Sequence, residues 1–295
     1  MELYRVILQL KSSLVTPLKG DTIWGHIVWG IANHEGDNAV ADFIEECKSK
    51  EPSLIVSSAF PHGTLCRPIP HVQKREKSMT AEMYAQIKKS KKSIYARAAD
   101  FFAGGKDSGE EIQLNNPFGL HSVTHNSINR FTNEVLEGSL YSVSEIWSKT
   151  DLFDIYVLTS YKASRIKQLC EWAFENGYGA DSSIGKGVIT VLGEPEIVNP
   201  KNKTNTYMAL GPFVLSENCS IQDLRADTFV RNGKIGGVFV SSLSPWKKPV
   251  VLFNEGAVFT SREAIKFAGK LITDVHSDSR ICQAGFAPVI PIEES

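Results

Sequence analysis

The stretch LFDIYVLTSYKASRIKQLCEWAFENGYGADSSIGKGVITVLGEPEIV, residues 152–198, decides the fold. Its apolar, β-branched start predicts a strand over Leu152–Ser160, and helical spacing of apolar residues predicts a helix over Ala163–Asn176. Four glycines then predict a loop over Gly177–Gly187, and a second β-rich run predicts a strand over Val188–Val198. The stretch is therefore a β-α-β unit in which a glycine-rich loop joins the helix to the second strand.

A similar unit precedes it in the chain. Its predicted elements are a strand over Glu2–Leu10, a helix capped by Asp21 or Thr22 that runs to about His34, a short helix near Val40–Lys48 and a strand over Ser53–Phe60. Alternating β-rich residues indicate the first strand, and an aliphatic stripe indicates the first helix. The order β-α-β followed by β-α-β is the ferredoxin-like plan.

The residues between the two units, about 61–150, do not follow this plan. They contain a proline-rich start, a basic helix predicted over about Thr80–Phe102, and two segments, Ser122–Thr132 and Gly138–Ile146, that predict a projecting hairpin. We interpret them as a large insertion. After about residue 200 the chain changes to short β-rich runs with one predicted helix, over about Ser261–Ile272.

The expected fold class is α+β, with two ferredoxin-like (RRM-like) domains. The first domain spans residues 1–200 and carries the insertion with its basic helix and hairpin. The second, β-rich domain spans residues 201–295, and its predicted strands are Tyr207–Leu215, Thr228–Arg231, Gly237–Val240, Val250–Phe253 and Cys282–Ile292.

Charge is balanced over the whole chain and uneven along it. With 32 basic and 33 acidic residues, the protein is not a uniformly basic body that coats nucleic acid without specificity. Residues 52–99 hold nine basic residues against two acidic ones, whereas residues 35–51 hold six acidic residues and two lysines. We expect a local nucleic-acid patch and, around Glu45, Glu46 and the face of Trp29, a protein-docking surface.

Cysteine usage and the amino terminus predict a cytoplasmic location. The five cysteines are odd in number and widely spaced, which favours a reducing compartment without disulfides or a zinc ribbon. No signal-peptide pattern and no apolar run of roughly 20 residues is present, so we expect no membrane contact. His121 and His125 lack the glutamate of a zincin helix, and we expect no metal site and no cofactor.

The segment GYGADSSIGKG, Gly177–Gly187, is the most informative motif. Its glycines permit close backbone approach, and its N–H groups with Lys186 suit a phosphate. It is not a P-loop, because Gly179 and Gly185 are one residue too far apart and Gly187 replaces the expected Ser or Thr after Lys186. A plain helix-to-strand turn is the alternative.

Two further segments add binding chemistry. TPLKGDTIWG, Thr16–Gly25, opens the first helix, and helix N-termini present backbone donors to anions. HNSINRFT, His125–Thr132, places polar side chains beside Arg130 and Phe131 on the predicted hairpin. Such a mixture suits single-stranded RNA, in which aromatic stacking supplies about 1 to 3 kcal/mol per base. Composition alone equally fits a plain exposed hairpin.

Taken in order, GDTIWG, HNSINR and G-x-G-x-x-x-S-x-G-K-G resemble the repeat-associated mysterious protein superfamily of CRISPR systems. Their spacing is most similar to the family of the fourth Csm subunit of type III-A effector complexes. The resemblance runs from Tyr4 to about Val198 and is weaker in the remaining chain.

The resemblance implies a non-catalytic RNA-binding subunit. Such a subunit caps the complex, grips the 5′ repeat-derived tag of the CRISPR RNA, and docks the large palm-domain subunit beside a neighbouring backbone subunit. The matching positions expected to contact RNA are Gly179, Ser183, Gly185, Lys186 and Gly187 of the loop, His125, Asn129 and Arg130 of the hairpin, and Thr22, Trp24 and Gly25 of the first helix. Charge alone adds Arg67 and the lysines of residues 88–92, although a solvated helix face accounts better for that run of lysines.

Two other functions stay open at this point. CRISPR RNA-processing endoribonucleases of the same superfamily often use a histidine near the first helix as general acid or base, which makes His26 a candidate. Their glycine-rich loop lies near the carboxyl terminus, whereas this chain continues long after Gly187. The third possibility is an RNA-tag reader outside CRISPR immunity.

Overall fold

The computed structural model describes residues 1–70, 94–104, 117–201, 203–217, 220–236 and 244–293. The chain is a mixed α/β protein, and all the strand pairs in the described residues are antiparallel.

The first sheet is built around strand β1 (Glu2–Leu10), which pairs with β8 (Leu152–Thr159) on one side and with β9 (Ile189–Ile197) on the other. Strand β2 (Leu54–Val56) extends the sheet beyond β8, so the order is β2-β8-β1-β9, and β3 (Phe60–Pro61) also pairs with β8. Alternation of buried and less buried residues along β1 is what a sheet with one well-packed face requires.

Helices connect these strands as the sequence pattern predicts. Helices α1 (Gly20–Glu35) and α2 (Asp37–Lys48) lie between β1 and β2, and α4 (Ala163–Phe174) lies between β8 and β9. The N-cap of helix α1 is Lys19, two or three residues before the predicted cap at Asp21 or Thr22, and no side chain caps the helix. Asp21 therefore lies inside the first turn, where its carboxylate binds Arg231 and Gln283.

In their described part, the residues predicted to form an insertion contain a two-stranded pair, a short helix and a hairpin. Strands β4 (Thr64–Cys66) and β5 (Tyr95–Arg97) pair with each other, and helix α3 (Ala98–Gly104) follows. The predicted basic helix over residues 80–102 lies mostly outside the described residues, and its described end is strand β5 followed by α3. Strands β6 (Phe118–His125) and β7 (Tyr141–Ser148) form the predicted hairpin. The connection between them, residues 126–140, includes the ends of both predicted segments, which were expected to be strand.

The second half of the chain is a sheet with a separate ribbon. Its elements are β10 (Thr206–Ala209), β11 (Ile221–Arg225), β12 (Thr228–Arg231), β13 (Val250–Phe253), β14 (Val258–Ser261), β15 (Phe267–Ile272) and β16 (Gln283–Pro291). The sheet order is β11-β14-β10-β16-β15, and β12 pairs with β13. The strand predicted over Gly237–Val240 lies outside the described residues.

The helix predicted over Ser261–Ile272 is wrong. Phe267–Ile272 is strand β15, and all six of its residues pair with β16. Gly269 has φ +95°, and a Cβ there would lie 2.0 Å from the carbonyl oxygen of Gly285. In a helix, the close approach of the Gly269 and Gly285 backbones would be lost. A glycine in the helix interior would also cost about 1 kcal/mol relative to alanine.

One continuous core joins the two halves. Trp24 of α1 is buried and its ring contacts Phe43 of α2 and Phe286 of β16, at centroid distances of 5.8 and 5.7 Å. Residues of the first sheet and of β10 and β16 belong to the same buried cluster. A smaller cluster around Tyr207, Phe213 and Phe259 fills the second half.

Candidate functional site

The glycine-rich loop lies between α4 and β9 and is sterically specified. All four of its glycines have positive φ, between +66° and +88°. A Cβ at Gly187 would lie 2.1 Å from the carbonyl oxygen of Tyr178, and one at Gly179 would lie 2.5 Å from Cβ of Thr16. The loop is therefore a packed structure and not the plain flexible turn considered above.

The backbone donors of this loop bind the protein itself. Gly179 N–H donates to Nε2 of His26 (3.1 Å), and Ala180 N–H donates to Oγ1 of Thr16 (3.0 Å). Gly187 N–H donates to the carbonyl oxygen of Ser13 (2.8 Å) and is buried. The N–H groups of Gly179 and Gly187 therefore already have partners within the protein, and RNA contact at these two residues stays a prediction. Ser183 and Gly185 lie exposed on the outer edge of the loop.

Lys186 is not a free point charge. Its Nζ lies 2.6 Å from Oε1 of Glu145 on β7, whose side chain is 1% exposed, and Ser13 Oγ donates to Oε2 of Glu145 at 2.8 Å. The Lys186 ammonium, followed by the Ser13 hydroxyl, lowers the pKa of Glu145. The ion pair ties the glycine-rich loop to the hairpin.

His26 is a neutral, internally bonded histidine. Burial lowers its pKa from 6.5 to about 4, against a smaller opposing effect of a hydrogen bond to the Ala173 backbone. Because Nε2 accepts the Gly179 N–H, the ring proton lies on Nδ1. Its ring also packs against Tyr178 at a centroid distance of 4.8 Å. The arrangement does not suit a general acid or base, since neither nitrogen is free for substrate.

The hairpin, by contrast, is largely exposed. Gly119, His121, Val123 and His125 of β6 lie opposite Trp147, Glu145, Val143 and Tyr141 of β7. On this face His125 stacks on Tyr141 with centroids 5.4 Å apart, and His121 lies edge-on to Trp147 at 6.3 Å. Tyr141 and Trp147 are 53% and 49% exposed, so aromatic surface is available along the strands.

The hairpin tip presents Arg130 and Phe131 to solvent. Asn129 forms an Asx turn in which Oδ1 accepts the N–H of Phe131 at 2.9 Å, and Asn133 closes the turn in a left-handed conformation, φ +55°. This turn leaves the Phe131 ring 98% exposed and Arg130 exposed beside it. Asn129 is thus a turn-forming residue, and Arg130 is the accessible one of the pair.

The first-helix motif is largely packed within the protein. Trp24 is 3% exposed, so its side chain has no surface for RNA, and Thr22 and Gly25 are half-buried. The preceding residue, Asp21, is buried and accepts two hydrogen bonds from Arg231 (2.7 and 2.8 Å) and one from Gln283 (3.0 Å). Sequence reasoning missed this cluster, because no local signal links residues so far apart.

Arg67, the one described residue among the charged candidates, is also engaged. Arg67 Nε donates to the carbonyl oxygen of Tyr95 at 3.2 Å, and the lysines of residues 88–92 lie outside the described residues. Lys19, another residue that the sequence analysis did not single out, pairs with Glu255 at 2.5 Å and lies 5.4 Å from the centre of the Phe229 ring. It joins the start of α1 to the second half of the chain.

The acidic segment lies on the surface of α2. Glu45 pairs with Lys48 at 2.5 Å, and Glu46 accepts a hydrogen bond from the Tyr161 hydroxyl at 2.9 Å, yet both carboxylates are exposed. Trp29 is half-buried, and its indole lies against Gly236. The face of α1 that includes Trp29 is therefore partly covered by the chain itself.

Within the described ranges, no group of three or more His, Cys, Asp or Glu side chains could hold a metal ion. None of the helices in that part of the chain is long and apolar enough to cross a membrane.

The sheet face does not offer an RNA platform at its centre. In RRM-type recognition, exposed aromatic residues on the sheet stack on bases. Here Tyr156 of β8 is fully buried and packs against Phe102 of α3, with ring centroids 5.5 Å apart. Three exposed aromatic residues that could stack on bases, Phe131, Tyr141 and Trp147, lie on the hairpin instead.

Comparison with known proteins identifies the fold. No protein-family model and no curated protein matches the chain. A chain in the crystal structure of a Csm1-Csm4 cassette in complex with cA4 is similar at TM-score 0.64 and 14% identity, covering 99% of both chains. The same cassette with pppApA gives TM-score 0.62 and 14% identity over 99% of both chains. A Csm3-Csm4 subcomplex of the type III-A CRISPR-Cas interference complex gives 0.55 and 14%, covering 98% of this chain and 99% of the other.

The chain is thus of the mixed α/β class, with antiparallel sheets and a projecting hairpin. Its particular fold is Csm4-like, because Csm4 is the component common to those cassettes and that subcomplex. The resemblance inferred from the three motifs is confirmed at the level of the fold.

Proposed function

We propose that this protein is an RNA-binding subunit of a type III-A CRISPR effector complex, built from two ferredoxin-like domains divided near residue 200. The observation that carries the proposal is the Csm4-like fold over 99% of the chain. In the proposed role it caps the complex, grips the 5′ tag of the CRISPR RNA, and performs no chemistry of its own. It works in the cytoplasm.

The proposed RNA surface is the hairpin together with the outer edge of the glycine-rich loop. Phe131 and Arg130 at the tip supply a stacking ring and a phosphate-binding charge. His125 with its stacked Tyr141 continues this surface along the strands, and Ser183 and Gly185 continue it on the loop. The hairpin would separate neighbouring bases of the tag.

The proposed protein partners are the large palm-domain subunit and the neighbouring backbone subunit. Support comes from the structural neighbours, which are complexes of Csm4 with Csm1 and with Csm3. We assign part of the large-subunit contact to the exposed acidic surface of α2. Opposite charge on the partner would then select this face.

The test is to affinity-tag the chain in its native host, purify it gently, and identify the co-purifying proteins and the 5′ ends of bound RNA. We expect a multi-subunit particle whose small RNAs share one repeat-derived 5′ tag. A chain that purifies alone with repeat RNA, cleaves it without metal and loses cleavage in His26→Ala would overturn the proposal in favour of an endoribonuclease.

A Glu45→Lys/Glu46→Lys variant in the same purification tests the partner assignment. We expect it to lose the large subunit while it keeps the RNA. The matched control is Glu194→Lys, which reverses an exposed carboxylate paired with Lys167 away from α2. If both variants retain the large subunit, the acidic surface of α2 is not the contact.

A further inference from the structure

The hairpin is attached to the body of the protein at two levels. At its base, Lys149 N–H donates to the carbonyl oxygen of Pro117 (2.8 Å), and the ring of Phe118 stacks on Phe153 with centroids 5.5 Å apart. Further out, Leu14 and Ile146 exchange two backbone hydrogen bonds of 2.9 and 2.7 Å. The direction of the hairpin therefore depends on what holds residues 145–146 against the segment after β1.

Glu145 lies at this outer level and is the only buried residue of β7. Its two carboxylate oxygens are held separately, one by Lys186 from the glycine-rich loop and one by Ser13 from the segment after β1. Three parts of the chain that are remote in sequence thus meet at one carboxylate.

Backbone bonds hold the same three parts in register. Gly187 N–H donates to the carbonyl oxygen of Ser13 (2.8 Å), and Val188 N–H donates to Oγ of Ser12 (2.9 Å). Lys11 N–H in turn donates to the carbonyl oxygen of Val188 (2.8 Å). The segment after β1 is therefore fixed between the glycine-rich loop on one side and the hairpin on the other.

Binding of the Lys186 ammonium to an RNA phosphate would cost free energy, because Lys186 already pairs with Glu145. The ammonium would have to leave Glu145, and a carboxylate that is 1% exposed would then remain buried without its counter-ion. Desolvation makes such an unpaired charge strongly unfavourable. The geometry favours a role for Lys186 inside the protein over direct contact with RNA.

We propose that Glu145, Lys186 and Ser13 form a lock that fixes the direction of the hairpin relative to the glycine-rich loop. The three residues position the hairpin tip without touching RNA. The effect on RNA binding rests on the proposed function, whereas the lock itself is a property of the protein alone and can be tested without RNA.

The first measurement is amide hydrogen exchange of the full-length protein, with Glu145→Gln, Lys186→Met and the double variant. We expect exchange over residues 118–148 to accelerate at least tenfold in Glu145→Gln and more in Lys186→Met, which leaves a buried charge unpaired. Exchange in the double variant should be slower than in Lys186→Met, because the double variant also removes the unpaired carboxylate. Lys167→Met, which breaks the pair with the 68% exposed Glu194, is the matched control and should change nothing.

The second measurement is the affinity, over a series of salt concentrations, for a single-stranded RNA that begins with the repeat-derived tag of the host array. The lock predicts weaker binding in Glu145→Gln and Lys186→Met with an unchanged salt slope, and rescue by Lys186→Arg. If Lys186 contacted a phosphate, Glu145→Gln would free it and strengthen binding, and Lys186→Met would lower the slope by about one.

Either of two results overturns the lock: unchanged exchange over residues 118–148 in Glu145→Gln, or tighter RNA binding by that variant. If Lys186→Met fails to fold, Glu145→Gln and the double variant still decide. A wild-type protein that ignores tag RNA, while Glu145→Gln accelerates hairpin exchange, would refute the proposed function and leave the lock standing.

Discussion

The glycine-rich loop and the hairpin tip were both expected to bind RNA, but the loop directs its polar groups into the protein and the tip directs its side chains to solvent. In the loop, the N–H groups of Gly179, Ala180 and Gly187 bind partners within the protein, and Lys186 pairs with a buried carboxylate. At the tip, Arg130 and Phe131 have their side chains in solvent. A polar, glycine-rich motif can therefore be either an exposed surface or a packed part of the protein. The contacts of its side chains and N–H groups in the structure distinguish the two.

Adding one methyl group at either of two glycines of the loop should reveal the packing of the loop with the largest effect. Gly187→Ala places Cβ 2.1 Å from the carbonyl oxygen of Tyr178, whereas Gly185 has nothing within 4 Å of that position. Both glycines have positive φ, so Gly185→Ala should cost only the left-handed backbone, about 1 kcal/mol. We expect Gly187→Ala to cost more than about 3 kcal/mol.

Urea denaturation of the two variants measures this difference in free energy of unfolding. Gly185→Ala is the matched control, because it carries the same added methyl on a similar backbone. Equal losses in the two variants would mean that the loop is not packed as described.

Acid should loosen the loop through His26. Its pKa is 6.5 ordinarily and about 4 in the folded protein, so between these values the unfolded chain binds the proton more readily. The neutral His26 ring therefore contributes its full stabilisation of the folded protein above about pH 6.5, and this contribution is lost as the pH falls towards 4. The loss amounts to about 3 kcal/mol when it is complete.

Unfolding free energies of the wild type and of His26→Gln, measured between pH 7 and pH 4, isolate this effect from the carboxylates. Glutamine retains an acceptor for the Gly179 N–H and does not titrate. We expect the variant to lose less stability on acidification than the wild type, and parallel curves would contradict the assignment of His26 as a neutral loop anchor.

The tip should behave in the opposite way, with binding affected and stability not. Arg130→Ala/Phe131→Ala should leave the free energy of unfolding within about 0.5 kcal/mol of wild type, since both side chains are exposed. Loss of one stacked base should weaken tag-RNA binding by about 1 to 3 kcal/mol. Loss of one phosphate contact should reduce the salt slope by roughly one.

Filter-binding titrations at several salt concentrations provide the measurement. The control is Val251→Ala on β13, an exposed apolar residue of the second half at 60% exposure. Unchanged affinity in the tip variant, or an equal loss in the control, would remove the tip from the proposed RNA surface.

Local patterns predicted most of the first half of the fold. The strands around β1 and β8, the helices α1 and α4, and the existence of the hairpin all follow from periodicity and turn residues. The same reasoning failed over residues 261–272, where F-A-G-K-L-I fits a helix stripe as well as a strand. Pairing with β16 decided between them, and pairing is not visible in a short window.

The geometry of the candidate site could be predicted only in part for the same reason. The exposure of Arg130 and Phe131 follows from a local turn, whatever the rest of the chain does. The ion pair of Lys186 was missed because its partner Glu145 lies on a different element, and Asp21 was interpreted as a helix cap although Arg231, 210 residues away, binds it. Residues that act through distant partners carry no signal in their own neighbourhood.

The shared core has a consequence for synthesis on the ribosome. Trp24 packs against Phe286, and Asp21 accepts a hydrogen bond from Gln283, 262 residues later in the chain. At about 5–20 residues per second, helix α1 waits on the order of tens of seconds for β16 to be made. During that time the Trp24 indole lacks Phe286 and the Asp21 carboxylate lacks Gln283, so completion of the core around α1 waits for the end of the chain.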